Sequence, residues 1–167
     1  MKLHEFLTRI PEPFAVEVLK ALPGPDRKSL LRVHKAKLPV SSGTLRRSVR
    51  TAKECKRLLA ALKKTKDLDA QRTFLQGWLA RRADMIVHFL SAWEIDHQNG
   101  IVEDFGWLEN LTLEQVKESL AKLQEEKEDL EPIAPLVYFA YLEMPFTSEV
   151  LDVDALLAAV GAPATSA

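Results

Sequence analysis

Hydrophobic positions recur at spacings of three and four over most of the chain, which is the pattern of helices with one buried face. Prolines and glycines separate these runs. No run of five or more residues alternates apolar and polar side chains with the β-branched enrichment of a strand. The pattern therefore predicts an all-α protein, with helices at about residues 12–22, 25–37, 43–65, 69–98, 112–130, 132–143 and 153–160.

The segment 69–98 has the widest apolar stripe and is expected to be the central element. At 1.5 Å per residue it would extend on the order of 40 Å, enough to cross a compact domain of this size. We therefore expect a single-domain bundle of about six or seven helices around this long helix. Gly77 lies within the stripe, and close packing of another helix would explain it. The last residues, 162–167, are expected to fray.

Local signals mark several helix ends. The sequence HQNG at residues 97–100 is typical of a helix end. Thr112, followed three residues later by Gln115, predicts a capping box at a helix start. Asp152 and Gly161 are expected to begin and end the last helix.

The formal net charge of −1 over 167 residues conceals a division. Residues 1–67 contain 17 basic and 6 acidic side chains, a net charge of +11, whereas residues 68–167 contain 6 and 18, a net charge of −12. Ten of the twelve aromatic residues follow residue 67, so the basic part has few aromatic side chains with which to build a core. We expect the basic helices, 12–65, to pack on the acidic, aromatic-rich helices, 69–160, as one domain over residues 1–161.

The basic charge is concentrated at residues 27–66, which contain 14 basic residues and one acidic residue, Glu54. This pattern favours a non-enzymatic binding protein that presents a basic helical face to a polyanion, most naturally the backbone of a nucleic acid. The lack of aromatics there favours duplex contact over stacking on single-stranded bases. The candidate binding residues avoid most of the apolar stripe and are Arg46, Arg47, Arg50, Lys53, Lys56, Arg57, Lys63 and Lys64.

Two alternatives remain open at this point. The protein could be a protein–protein interaction module, an adaptor or small regulatory subunit, oriented on an acidic partner or on a second copy by its oppositely charged halves. The acidic run EEKEDLE, residues 125–131, could also cover the basic face within the fold. In that case the basic face would be balanced internally and would not be a binding site.

The string LPVSSGTLRRSVR resembles the turn and the start of the second helix in helix-turn-helix DNA-binding domains. The resemblance covers roughly residues 34–49 and departs from the motif at His34, Lys35, Pro39 and Ser48. It implies a set of residues near DNA, namely Ser41, Ser42, Thr44, Arg46, Arg47 and Arg50.

Catalytic and metal chemistry have little support in the sequence. No zinc-protease, phosphate-loop, calcium-loop or serine-hydrolase motif occurs. Asp84 and His88 are four residues apart and could share a helix face, which is a weak metal signal. We therefore expect no enzymatic activity, no metal and no cofactor.

The remaining single features favour structural roles. Cys55 is the only cysteine, so no internal disulfide can form, and we expect a buried thiol. Trp78, Trp93 and Trp107 could line a pocket or belong to the core. No apolar run approaches the ~18 residues of a membrane span, and the N-terminus lacks the apolar core of a secretory signal, so we expect a cytoplasmic protein without membrane contact.

Overall fold

The computed structural model of the protein describes residues 1–34, 47–65 and 67–161, with the side chains of 47–49 excepted. Within these ranges the chain forms α-helices and two short 3-10 helices, Ala80–Arg82 and Gly106–Asn110, and no β-strand. The all-α class is therefore confirmed. The α-helices are α1 Leu3–Arg9, α2 Glu12–Ala21, α3 Gly24–Val33, α4 Arg47–Lys64, α5 Leu68–Leu79, α6 Ala83–Ala92, α7 Leu113–Glu126, α8 Ile133–Tyr141, α9 Thr147–Val150 and α10 Val153–Gly161.

The chain divides into two compact units. The first, here called the N-terminal unit, comprises Lys2–Trp78 and the residues from Leu157 onward. The second, the C-terminal unit, comprises Met1 and Leu79–Leu156. The division falls inside the segment predicted as one long helix. The expectation of one domain over residues 1–161 stays a prediction.

The core of the N-terminal unit is built around α4, which packs against α1, α2 and α3. One face of α4 is buried and apolar, with Leu58 and Leu62 fully inaccessible to solvent. Helix α1 was not predicted, although its apolar residues follow the helical spacing and are buried. Its seven residues are too short a run for periodicity to be recognised.

Helix α5 approaches the end of α2 very closely. A Cβ atom at Gly77 would lie 2.7 Å from Cα of Leu22 and 3.0 Å from the carbonyl oxygen of Ala21. The next residue, Trp78, packs edge-on against Phe14 at a centroid distance of 5.2 Å and donates from Nε1 to Glu17 at 3.0 Å. The expected explanation of Gly77, close packing of another helix, is confirmed.

The expected long helix at residues 69–98 is wrong. Helix α5 ends at Leu79, a 3-10 turn follows, and α6 begins at Ala83 and ends at Ala92. Arg82 leaves the α conformation, with φ −124° and ψ 32°, and its guanidinium forms an ion pair with Glu131. A single 3-10 turn shifts the helical phase by only about 60°, because it winds at 3.0 instead of 3.6 residues per turn. Hydrophobic spacing alone does not detect so small a shift.

The helix end expected at residues 97–100 is also wrong. Helix α6 ends in a Schellman motif, in which Glu94 has φ 58°, Glu94 N donates to Ser91 O, and Ile95 N donates to Leu90 O. Asn99 and Gly100, with φ 52° and 85°, instead form the tight turn of a minimal hairpin. Its flanking residues, Gln98 and Ile101, exchange two main-chain hydrogen bonds of 3.0 Å.

In the C-terminal unit, α7 packs against α6 and α9, and α9 packs against α8. The predicted capping box is confirmed, because the Thr112 side chain accepts from Gln115 N and the Gln115 side chain accepts from Thr112 N. An aromatic cluster fills the core, with Phe89 5.2 Å from Trp93 and 5.4 Å from Phe139 between centroids. Trp93 Nε1 donates to Ser119 Oγ at 2.9 Å, which anchors α6 to α7.

Candidate polyanion-binding surface

The basic residues of α4 lie opposite its buried seam. With 100° of rotation per residue, the exposed basic positions occupy an arc of about 140° that is centred roughly opposite the buried Leu58 and Leu62. The arc extends about 21 Å along the helix axis. We call this surface the cationic face, and it consists of Arg50, Lys53, Lys56, Arg57, Lys63 and Lys64.

The cationic face is only partly neutralised by the residues that the structure describes. Arg50 Nε bonds Glu54 Oε1 at 3.0 Å, and the Arg50 side chain remains 61% exposed. Within the described residues, Lys53, Lys56, Lys63 and Lys64 are exposed and have no ion-pair partner within 4.0 Å. Like charges along one helix repel each other, so this face gains stability from any anion that lies against it.

Of the eight predicted binding residues, the structure brings these six together on one face. Arg47 is the first residue of α4, and its side chain is outside the described set. Arg46 lies outside the described residues, as do Ser41, Ser42 and Thr44, which the helix-turn-helix resemblance implicated. The turn of that resemblance therefore also lies outside them.

Helix α3 adds cations that were not among the predicted site residues. It packs against α4, and Lys28 and Arg32 are exposed, whereas Arg27 is half-buried. These residues belong to the basic segment 27–66 and could have been proposed from its composition. Their proximity to α4, however, depends on the packing of the two helices.

Two residues of the acidic run 125–131 are engaged within their own unit. Glu126 Oε2 lies 3.1 Å from His88 Nδ1, and Glu131 forms the ion pair with Arg82. These contacts join the end of α7 and the following turn to α6 and the 3-10 turn before it.

The weak metal signal from Asp84 and His88 is not supported. His88 turns to Glu126, while Asp84 lies 3.7 Å from Lys127 Nζ. In the part of the chain that the structure describes, no three His, Cys, Asp or Glu side chains are placed to hold a metal ion.

Cys55 and two of the three tryptophans lie in the core, whereas the third tryptophan lines a surface cleft. Cys55 is buried, as expected, and burial raises the pKa of its thiol to about 12. Trp78 and Trp93 are core residues with 1% and 3% exposure. Trp107 instead lines an open cleft of the C-terminal unit.

Among the described helices, none combines the length and apolarity needed to cross a bilayer. No protein-family model, curated protein or solved structure matches the chain. The function must therefore be inferred from the chemistry of the described surfaces.

Proposed function

We propose that the protein is a non-enzymatic binding protein whose cationic face contacts the phosphate backbone of a nucleic acid. The observation that carries the proposal is the alignment of six exposed basic side chains on one face of α4, opposite its buried seam. Arg50 pairs with Glu54 of α4, whereas Lys53, Lys56, Lys63 and Lys64 have no ion-pair partner within 4.0 Å among the described residues. Phosphate contacts by lysine and arginine supply most of the affinity of nonspecific nucleic-acid binding.

The width of the cationic face favours a duplex over a flat anionic surface. Lys56 and Lys63 lie at one edge of the arc, and Arg50 and Arg57 lie at the other, roughly 100° or more apart around the helix. An α-helix about 10–12 Å in diameter fits the major groove, which is about 12 Å wide and bordered by two rows of phosphates. Cations on both sides of the helix could then reach both rows.

The proposal predicts a steep dependence of affinity on salt. If each of the six cations neutralises one phosphate, log K falls with a slope of about −5 against log salt. Affinity for a 20-base-pair duplex would then fall about a thousandfold between 50 and 200 mM salt. Fluorescence anisotropy with a labelled random-sequence duplex measures this directly.

Substitution of three lysines tests the location of the contact. Changing Lys53, Lys56 and Lys64 to glutamine should weaken binding and reduce the fall over the same salt range to about fortyfold. A matched control changes three exposed lysines outside the face, Lys2, Lys20 and Lys117, and should keep the original slope within about one unit. Equal loss in both triple variants, or no binding at 50 mM salt, would remove the proposal.

An acidic protein surface is the second candidate partner, favoured by the same uncompensated lysines. The wild-type chain should then bind a polyglutamate peptide more tightly than the duplex, and the variant of Lys53, Lys56 and Lys64 should lose that binding. Self-association through the oppositely charged halves would appear as a salt-sensitive increase in mass by light scattering.

We also propose a cytoplasmic location for the protein, which the single, buried cysteine supports.

A further inference from the structure

A cleft in the C-terminal unit is not used by the proposed nucleic-acid contact. It has a volume of about 470 Å³ and lies within the loop that joins α6 to α7. Its lining residues come from two stretches of this loop, 94–98 and 101–104, together with Trp107. The chemistry of its lining combines four carboxylates with apolar and aromatic groups, the principal ones being Glu94, Asp96, Glu103, Asp104, Ile101 and Trp107.

The charge of the cleft is not balanced by neighbouring residues of the chain. No lysine or arginine occurs in residues 83–116, which contain seven acidic residues. Among the described residues, Glu94, Asp96 and Glu103 are exposed and have no ion-pair partner within 4.0 Å, while Asp104 accepts a hydrogen bond from Gly106 N. Carboxylates grouped around a partly enclosed space reinforce each other's electric field, so the cleft attracts cations.

The apolar groups of the cleft distinguish it from a simple acidic patch. Ile101 is 71% exposed, and among the described residues Val33 is the other large hydrophobic side chain that is exposed. Trp107 packs against Trp93 at 5.6 Å and Phe105 at 6.4 Å, and an indole ring attracts cations through its π electrons. Its Nε1 is buried without a hydrogen-bond acceptor in the described structure. The exposed carboxylates, Ile101 and the indole ring suit a ligand with positive charge and apolar groups.

The loop that forms the cleft is held in shape before any ligand arrives. The Schellman motif fixes Glu94, and the hairpin turn joins Gln98 to Ile101. His97 accepts from Gly100 N through Nδ1 at 3.2 Å, which places its ring proton on Nε2, 3.2 Å from Ser91 Oγ. A preformed loop loses less conformational entropy on binding than a disordered one.

We propose that this cleft docks a basic, apolar-flanked peptide segment of a partner protein. An arginine or lysine side chain of the partner would lie between the carboxylates and near Trp107, and a neighbouring apolar side chain would cover Ile101. A peptide satisfies both parts of the lining, because it provides cations and apolar side chains together. A metal ion fits less well, since the carboxylates are distributed over two stretches of loop and no three of them converge on one point in the described structure.

The test uses the full chain and an end-blocked peptide of alternating arginine and leucine, RLRLRL. Calorimetry at about 50 mM salt should show saturable binding, accompanied by a change in tryptophan fluorescence from Trp107. The variant Glu94→Gln, Asp96→Asn, Glu103→Gln should weaken binding at least tenfold. Asp104 is retained in this variant because it bonds the main chain at Gly106.

A matched variant separates the cleft from the overall negative charge. Glu125→Gln, Glu128→Gln, Asp129→Asn changes the net charge by the same amount at exposed positions of the acidic run, and binding should stay within about twofold of wild type. Thermal unfolding of both variants shows whether the fold is retained. Trp107→Phe should bind the peptide more weakly and lose the fluorescence change.

Three results would overturn the proposal. They are absence of peptide binding at low salt, an equal loss in the two triple variants, and equally tight binding of a peptide with glutamine in place of arginine. Calcium alone at millimolar concentration is the metal probe, and a saturable fluorescence change that the cleft variant abolishes would replace the peptide by a metal ion. A cationic peptide is not expected to bind the cationic face of α4. Failure of this test therefore does not affect the nucleic-acid proposal.

Discussion

Substitution of Gly77 by alanine is expected to destabilise the protein, although the position lies inside a helix. Alanine is normally favoured over glycine in a helix interior by about 1 kcal/mol. Here the added Cβ would lie 2.7 Å from Cα of Leu22 and 3.1 Å from its main-chain nitrogen, whereas carbon atoms in contact prefer about 3.5–4.0 Å. The obstructing atoms belong to the backbone, so no side-chain rotation relieves the contact. Helix α5 and the end of α2 must therefore separate by several tenths of an ångström.

The magnitude follows from two opposing contributions. Forcing an extra carbon into a close-packed contact costs about 1–3 kcal/mol, and more where backbone must move. The gain in helix propensity offsets about 1 kcal/mol of this. We expect a net loss of about 1–2 kcal/mol, which for a chain of 167 residues corresponds to a decrease of roughly 2–8 °C in melting temperature.

Thermal unfolding followed by circular dichroism measures the effect. Gln76→Ala, at the exposed neighbouring position of the same helix, serves as the control and should change the melting temperature by less than about 2 °C. A melting temperature of Gly77→Ala equal to or above that of wild type would refute the reasoning, because propensity would then outweigh the backbone contact.

Two further predictions concern buried polar groups. Ser119→Ala removes the acceptor of Trp93 Nε1 in the core and should lower the free energy of unfolding in urea by about 1–3 kcal/mol. The control, Ser29→Ala on the exposed side of α3, should change it by less than about 0.5 kcal/mol. Equal effects of the two substitutions would contradict the role of this bond. The raised pKa of Cys55, about 12 against 9.0 for an unperturbed thiol, gives a pH-dependent stability. The folded thiol retains its proton above pH 9 while the unfolded one loses it, so stability is complete below pH 9 and falls above it by up to about 1.4 kcal/mol per pH unit. Cys55→Ala should flatten this slope between pH 9 and 10, and an unchanged slope would contradict the assignment.

The stripe of α4 illustrates what local pattern can predict. Apolar and basic residues alternate with the helical period, so their separation onto opposite faces follows from helix geometry. Whether the basic face of α4 is exposed depends on which helices pack against it, and the sequence does not predict this. The structure shows α1, α2 and α3 against α4, while Lys53, Lys56, Lys63 and Lys64 stay exposed.

The acidic cleft depends on two chain turns that the hydrophobic pattern does not predict. The Asn99-Gly100 pair is typical both of a helix end and of a tight hairpin turn, and in the structure it forms the turn. Helix α6 ends at Ala92, and the left-handed residue after its C-cap is Glu94, a residue type that gives no signal for a helix end. A helix that continued to residue 98 would include Glu94 and Asp96, whereas in the structure both line the cleft.

The helical class, the capping box at Thr112, and the division of α4 into a buried face and a basic face could all be predicted from the amino-acid pattern. These properties depend on residues within one or two helical turns of each other, so spacing and side-chain chemistry are sufficient to predict them. The break between α5 and α6, the partner of Arg82 and the assembly of the cleft could not be predicted in this way. Each of these depends on distant residues or on backbone angles, and small changes of helical phase redirect side chains without altering the hydrophobic pattern.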